Sequence, residues 1–340
     1  MAGVSTLSIL ALPEFTDLTR RTFSMMNNLV PERARLLFIE QSIPSQSGNV
    51  RRFQEVDGET YASLKNEGED ATLAEASVGY SIDMTAKRMA KQINITWEMR
   101  NQGRDPEIKT KLTSLASFCP QRLELDLTHI LTFGTATSYT DQDGSTITTT
   151  VGDGLALVSA SHTLNQSSST YSNIITGNPA FSQTALEIAE ERANTQILTN
   201  FGERRIINFN TIFTSDDPVQ VNGVKQLIDS VSDVDQNNPG VVNVYGGKYK
   251  HVILPYLATD ANGAYNSAKK DYWGLAATGM GTDGWEAYLG MWEQPNLKVP
   301  SAGNNGEDFE NDDWKYGTRC TYGIAVLSGK GMLLSTGLGV

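Results

Sequence analysis

Val78, Tyr80, Ile82 and Met84 alternate with small or polar residues, and Ile93, Ile95, Trp97 and Met99 repeat the pattern. Period-two alternation predicts two half-buried strands, with the basic residues Lys87, Arg88 and Lys91 between them. The period then changes. Ile108, Leu112, Leu115, Cys119, Leu123, Leu127 and Ile130 recur every three or four residues, which predicts one long amphipathic helix over residues 106–133. Asp105 before Pro106 reads as an N-cap and first-turn pair, and Gly134 as the stop. Pro120 falls mid-helix, where it removes one backbone hydrogen bond at a cost of about 3 kcal/mol. The stripe continues in phase beyond it, so the expectation is one kinked helix.

Around this spine the signals are shorter. Residues 16–38 carry mixed helical spacing broken at Pro31, which predicts short helical pieces with no core of their own. Residues 45–75 are polar and turn acidic, with Glu55, Asp57, Glu59, Glu67, Glu69, Asp70 and Glu75 facing the single Lys65. Such a segment predicts an extended loop that a lone subunit leaves mobile. Residues 138–172 are rich in Thr, Ser and Gly and read as hairpins and loops. Two further helices follow. One opens on a capping box of Thr184 and Glu187 and carries Leu186, Ala189, Ala193 and Ile197; the other opens on Asp217-Pro218 and carries Val224, Leu227, Ile228 and Val231. Residues 205–213 and 251–257 read as strands, and residues 319–336 as a hairpin turning at 328–331. Helices and strands alternate without a regular βα repeat, so the fold class is α+β.

Composition narrows the function. Lys and Arg number 27 against 39 Asp and Glu, a net charge of −12, which argues against a surface that grips nucleic acid. With 39% hydrophobic residues in 340, the chain can build a real core. Cys119 and Cys320 lie far apart and no CxxC or Cys/His cluster exists, so neither a disulfide framework nor a zinc site is expected and a reducing compartment is the default. The apolar start lacks a basic region and soon meets Pro13 and Glu14, unlike a signal peptide. No stretch reaches the roughly 18 apolar residues of a membrane span.

The chemistry-bearing residues are few. Ser161 and His162, in "DGLALVSASHT", are the tempting hydrolase pair, but no GxSxG elbow is present. On a strand the two side chains point to opposite faces, so His162 is expected to be structural. Cys119 and His129 on one helix stand about 15 Å apart, out of hydrogen-bond reach. "SGKG" lacks the first glycine and the hydroxyl residue of a phosphate loop, and "DQDG" and "DANG" read as turns rather than calcium loops. The tryptophans at 97, 273, 285, 292 and 314 read as core or interface. We therefore expect no catalytic, cofactor-binding or metal site, and a protein that binds or builds.

The order of these pieces (acidic extended loop, two-strand return, spine helix, "DGLALVSASHT", a central α/β region and terminal strands) resembles the tailed-phage major capsid proteins. "DGLALVSASHT" looks like the DG-x-x-L-x-S-x-x-H segment of the Mu-like major head subunits, and "DYWGLAA" and "KYGTRCTYGIAVLSGKG" resemble their C-terminal portion. The resemblance implies a Hong Kong 97-type capsid fold. Its parts would be an N-terminal arm at 1–45, an extended loop at 46–77 with return strands to about 100, a peripheral domain at 78–181 and 306–340 around the spine helix, and an axial domain at 182–305. It implies a subunit that self-assembles into pentamers and hexamers of an icosahedral shell around double-stranded DNA, without specific DNA binding and without a membrane. A separate scaffolding protein, a portal and a decoration or cement protein are the implied partners. Location in the virion, after assembly in the host cytoplasm, is implied as well. The candidate inter-subunit residues are Glu55, Asp57, Glu59, Lys65, Glu67, Glu69 and Asp70 on the loop. Lys87, Arg88, Lys91, Arg104 and Lys109, with Arg100 and Lys111, face them, and Pro120 marks the spine-helix bend. A tail tube or sheath subunit is the alternative, and an enzyme built on Ser161 and His162 a distant third.

Overall fold

The computed structural model describes residues 12–27, 31–58, 61–73, 76–230, 243–279, 284–300 and 312–339. Helix α1 (Leu12–Asn27) is longer than the short pieces expected near the N-terminus. Phe15, Thr19 and Phe23 recur every fourth residue and are buried. Phe15 packs on Trp314 and Tyr316 at ring-centroid separations of 5.2 and 5.8 Å, and the Thr16 and Tyr316 hydroxyls pair at 3.1 Å. The helix thus has no core of its own; its face is completed from the far end of the chain.

After β1 (Ile39–Ser42), strands β2 (Val50–Gly58) and β3 (Ala76–Thr85) pair antiparallel, with a bulge between Gln54 and Val56. The polar segment expected to be a loop is therefore a two-stranded arm along part of its length. The alternation from Val78 to Met84 becomes β3, as predicted. Strand β4 (Lys87–Ile95) begins two residues later, so Lys87, Arg88 and Lys91 lie inside a strand and not between strands. Trp97 and Met99 leave the predicted strand for a short helix, α2 (Trp97–Asn101). The cause is local: the Thr96 hydroxyl accepts the Met99 N–H at 3.3 Å and caps the helix.

Helix α3 (Asp105–Thr132) is the predicted spine, continuous through Pro120. Asp105 is its first residue rather than its cap, and Arg104 at the N-cap position makes no side-chain bond. Every residue from Leu123 to Thr132 is buried, polar ones included, because the core closes around this end on all sides. Glu124 shows how that is tolerated: Oε1 accepts the N–H groups of Arg33 (3.0 Å) and Ala34 (2.7 Å), donors that the 3₁₀ turn Ala34–Leu37 leaves without internal partners.

Two small ladders follow, β5 (Ser138–Thr140) with β6 (Thr146–Thr148) and β7 (His162–Thr163) with β8 (Thr170–Tyr171), in the region read as hairpins. Helix α4 (Gln183–Gln196) buries Ala185, Leu186, Ala189 and Ala193. Its cap is Ser182, whose hydroxyl accepts the Ala185 N–H at 3.1 Å, and not the Thr184–Glu187 box. Strand β9 (Thr211–Thr214) occupies only the end of the predicted 205–213 strand. Helix α5 (Pro218–Asp229) starts at Asp217 as expected and buries Val224, Leu227 and Ile228; Val231 lies outside the described residues. Strand β10 (Lys250–Ile253) stops early because Pro255 opens a 3₁₀ turn. Strands β11 (Trp273–Ala276), β12 (Ala287–Lys298), β13 (Trp314–Val326) and β14 (Met332–Ser335) complete the chain.

The strands form two four-stranded sheets ordered β1-β12-β13-β4 and β10-β9-β11-β14. The predicted terminal hairpin does not form: β13 pairs with β12 and β4, while β14 pairs with β11 in the other sheet. Residues 328–331 are a crossing between sheets. A Cβ on Gly331 would stand 2.3 Å from the Trp285 nitrogen, so the crossing passes flush against that backbone. Strand β12 lies in the sheet beside the spine helix, and β14 in the sheet that carries α4 and α5.

Candidate functional site

The arm and its root carry the polar chemistry. Beyond the β2–β3 pairing, residues 61–73 are exposed, and with them Tyr61, Leu64 and Leu73 at 66, 90 and 89%. Gly68, at φ 82°, turns this tip, and Glu69 accepts from the Asn66 side-chain amide at 3.0 Å. Lys65, Glu67, Glu69 and Asp70 all face solvent here; Glu59 and Glu75 lie outside the described residues.

Glu55 and Asp57, grouped with them in the sequence, do something else. Glu55 is 5% exposed, and its Oε1 accepts from the Lys330 ammonium at 2.7 Å. Asp57 Oδ2 stands 4.0 Å from the same ammonium and accepts the Asn200 N–H at 3.0 Å. Lys330 also donates to Asn200 Oδ1 at 2.9 Å. The two carboxylates are thus drawn inward, to an intrachain junction of the arm, the turn after α4 and the sheet crossing. Buried Glu286 shares its field: burial pushes its carboxyl up to about 7, Glu55 and Asp57 add to the rise, and Arg205 and Lys330 oppose it. The one sequence signal for this junction is a lysine amid an apolar terminal run.

The basic candidates are split by strand geometry. Lys87 and Lys91 share the β4 face turned to α3, where the Lys91 ammonium lies 4.7 Å from the Phe118 ring centre, and Arg88 takes the opposite face. Lys91 and Phe118 border an open groove of 640 Å³ with Gln121 and Arg122. Arg122 is committed to Asp126 at 2.9 Å and to Asp141. Arg100 stacks 4.1 Å from the Trp314 ring centre and donates to the Asp312 carbonyl; Lys111 donates to the Asn94 carbonyl at 2.8 Å. Arg104 pairs with Glu107 at 3.8 Å, and Lys109 is exposed.

His162 is fully buried while Ser161 is exposed, the opposite orientation that alternation predicts. Its Nδ1 meets Asp153 Oδ2 at 2.8 Å, its Nε2 faces the Leu157 carbonyl at 3.3 Å, and its ring stacks on Tyr171 at 4.8 Å. Burial alone would push the Asp153 carboxyl up, but the bonds from His162, Leu155 and Thr163 hold it below its ordinary value. Both imidazole nitrogens face acceptors, so the ring offers Ser161 no base. We expect His162→Ala to lower unfolding stability by about 3 kcal/mol, because a buried carboxylate loses its partner. Ser161→Ala should change it by less than about 0.5 kcal/mol. Urea unfolding of the soluble subunit measures both, and equal losses would contradict this division.

The other tempting motifs resolve into structure. Gly144 and Gly263 close hydrogen-bonded turns onto Asp141 and Asp260 (2.9 and 3.0 Å), as read from "DQDG" and "DANG". His129 bonds Thr259 at 3.0 Å, ten positions along α3 from Cys119. What the sequence separated, the fold joins: Cys119 and Cys320 are buried in one core cluster, where their mutual influence draws the Cys119 thiol down and pushes that of Cys320 up, and the Thr318 hydroxyl donates to Cys119 Sγ at 3.4 Å.

The two four-stranded sheets, the spine helix buried at its C-terminal end and the two-stranded arm make up the framework of the described residues. A family model described as phage capsid protein matches residues 79–335. The capsid structure of cyanophage P-SCSP1u is similar over 88% of this chain and 86% of that one, at 11% identity and a TM-score of 0.51. A structure from Gordonia phage Cozz is similar over 89 and 85%, at 11% identity and a TM-score of 0.49. No curated protein matches the sequence. The chain belongs to the phage capsid protein family. It is a major capsid protein with an α+β phage capsid fold.

Proposed function

We propose that copies of this chain assemble as pentamers and hexamers of an icosahedral shell of the Hong Kong 97 type, of the Mu-like group, enclosing double-stranded DNA. The observation that carries the reading is the arm tip, where Tyr61, Leu64 and Leu73 stand exposed beside Glu67, Glu69 and Asp70. Apolar side chains held out on an acidic tip suit a neighbouring subunit that covers them and supplies positive charge. Arg88, Lys91 and Lys109 of the neighbour are the basic residues assigned to that contact, and the groove beside Lys91 receives the apolar ones. Glu55 and Asp57 are left out of it.

In this reading the spine-helix sheet forms the peripheral part of the subunit, and the sheet with α4 and α5 the axial part. Pro120 gives α3 a bend that adapts between non-identical positions in the shell. The net charge of −12 keeps the lining from sticking to packaged DNA. The subunit performs no turnover, sits in the virion after assembly in the host cytoplasm, and works with a separate scaffolding protein, a portal and a decoration or cement protein.

Reversal of Glu67, Glu69 and Asp70 to lysine should lower particle yield several-fold at low ionic strength, with a smaller effect in high salt. Negative-stain microscopy and sedimentation of purified protein, co-expressed with its neighbouring genes, measure this. Closed particles or flat capsomers from the unmodified chain are the expected result. Uniform monomer under every condition overturns the shell, and an unchanged yield in the reversed variant overturns the arm contact.

A further inference from the structure

Lys330 is 4% exposed, Glu55 5% and Asn200 1%, so an ammonium, a carboxylate and a carboxamide meet away from water. Burying an ion pair gains little, because desolvation offsets the attraction. The junction carries a second cost: Asn200 Nδ2 is buried with no hydrogen-bond partner among the described residues. The geometry is nonetheless close. Lys330 Nζ lies 2.9 Å from Asn200 Oδ1 and 2.7 Å from Glu55 Oε1. Glu55 Oε2 and Asn200 Nδ2 converge above Gly79, where a single added Cβ would touch them at 2.7 and 2.8 Å. A nucleophile, an electrophilic carboxamide and a carboxylate that spans both therefore share one dry pocket.

We propose that Lys330 and Asn200 join in an intrachain isopeptide bond, with Glu55 carrying the protons. Lys330 passes one proton to Glu55, and the freed Nζ lone pair attacks Asn200 Cγ. The Cγ–Nδ2 bond breaks as a second Nζ proton travels through Glu55 to Nδ2, which leaves as ammonia. Glu55 retains the first proton and can donate it to the new amide carbonyl. One amide replaces another, so no oxidant or reductant enters. The product removes both costs, since the buried ammonium and carboxylate become neutral and the orphan amide group is gone. The bond would fasten the turn after α4 to the sheet crossing at the root of the arm. It lies within one subunit and does not depend on how subunits assemble.

Peptide mapping of the full-length folded chain, digested with trypsin in denaturant and reductant, tests it by mass spectrometry. The expected product is one branched peptide that unites residues 193–204 with 320–340, lighter than the sum of its parts by one ammonia and uncut after Lys330. Ammonia loss at the Asn–Gly pairs beginning at Asn222, Asn262 and Asn305 gives no such branch. Separate peptides 193–204, 320–330 and 331–340, with no branched species, overturn the proposal and leave a non-covalent ion pair. Lys330→Arg should abolish the branch. Glu55→Gln, checked for folding by circular dichroism, should abolish it too; a branch that persists there overturns the role of Glu55.

Discussion

Trp285→Ala should destabilise the subunit by about 3–5 kcal/mol, the cost of emptying a large aromatic site that cannot collapse. Trp285 is 2% exposed and packs on Phe38 at a centroid separation of 5.2 Å. It belongs to the core that gathers Leu127 and Leu131 of α3, Val326 of β13 and Leu334 of β14. The residue therefore sits where both sheets meet the spine helix. Its backbone is pinned as well, by its N–H to the Ala277 carbonyl at 2.9 Å and by the close passage of Gly331. Urea or thermal unfolding of the soluble subunit measures the loss. A loss below about 1 kcal/mol would mean that the sheet junction repacks freely and that Trp285 does not hold the two sheets to the spine helix.

Glu286→Gln should remove a pH dependence. The folded chain holds the Glu286 carboxyl at about 7, above its ordinary 4.5, chiefly by burial and then by Glu55. A raised acid binds its proton more tightly in the folded state, so its contribution is complete below about 4.5 and is lost as pH rises through 7. Over that window the unmodified chain forfeits up to roughly 3 kcal/mol from this group. Glutamine keeps the neutral shape and cannot ionise. The variant should match the parent near about pH 4.5 and exceed it near about pH 8, by an amount that follows the same linkage. Equal differences at both pH values in urea unfolding would show that Glu286 does not titrate as its surroundings dictate.

The resemblance read from element order led to the right class, and the reasons lie in particular stretches. The apolar stripe of α3 and the alternation of β3 are periodic over several turns or pleats, and such patterns depend on the residues themselves. The Asp217 cap was legible because it acts within two residues, whereas the cap of α4 fell to Ser182 and not to the Thr184 read from the sequence. Trp97 and Met99 kept the strand alternation while Thr96 closed a helix over them, a case of one hydrogen bond outweighing a pattern. His162 was read correctly as structural because its neighbour had to face the other way. Its partner Asp153, nine positions earlier, was not foreseen.

The sequence by itself determined the periodic elements, the scarcity of catalytic groups and the acidic, outward character of the arm tip, because each follows from neighbouring residues and local geometry. The tertiary structure decided the rest. Residues 328–331 look like a hairpin turn, yet only the pairing of β13 with β12 and β4, and of β14 with β11, makes them a crossing. Glu55 and Glu67 look alike in one acidic run, yet β2 carries the first to a buried lysine 275 positions away while the second stays in water. Cys119 and Cys320 meet for the same reason. Long-range pairing is set by which surfaces pack, and the energy of packing belongs to the assembled core rather than to any segment of the chain.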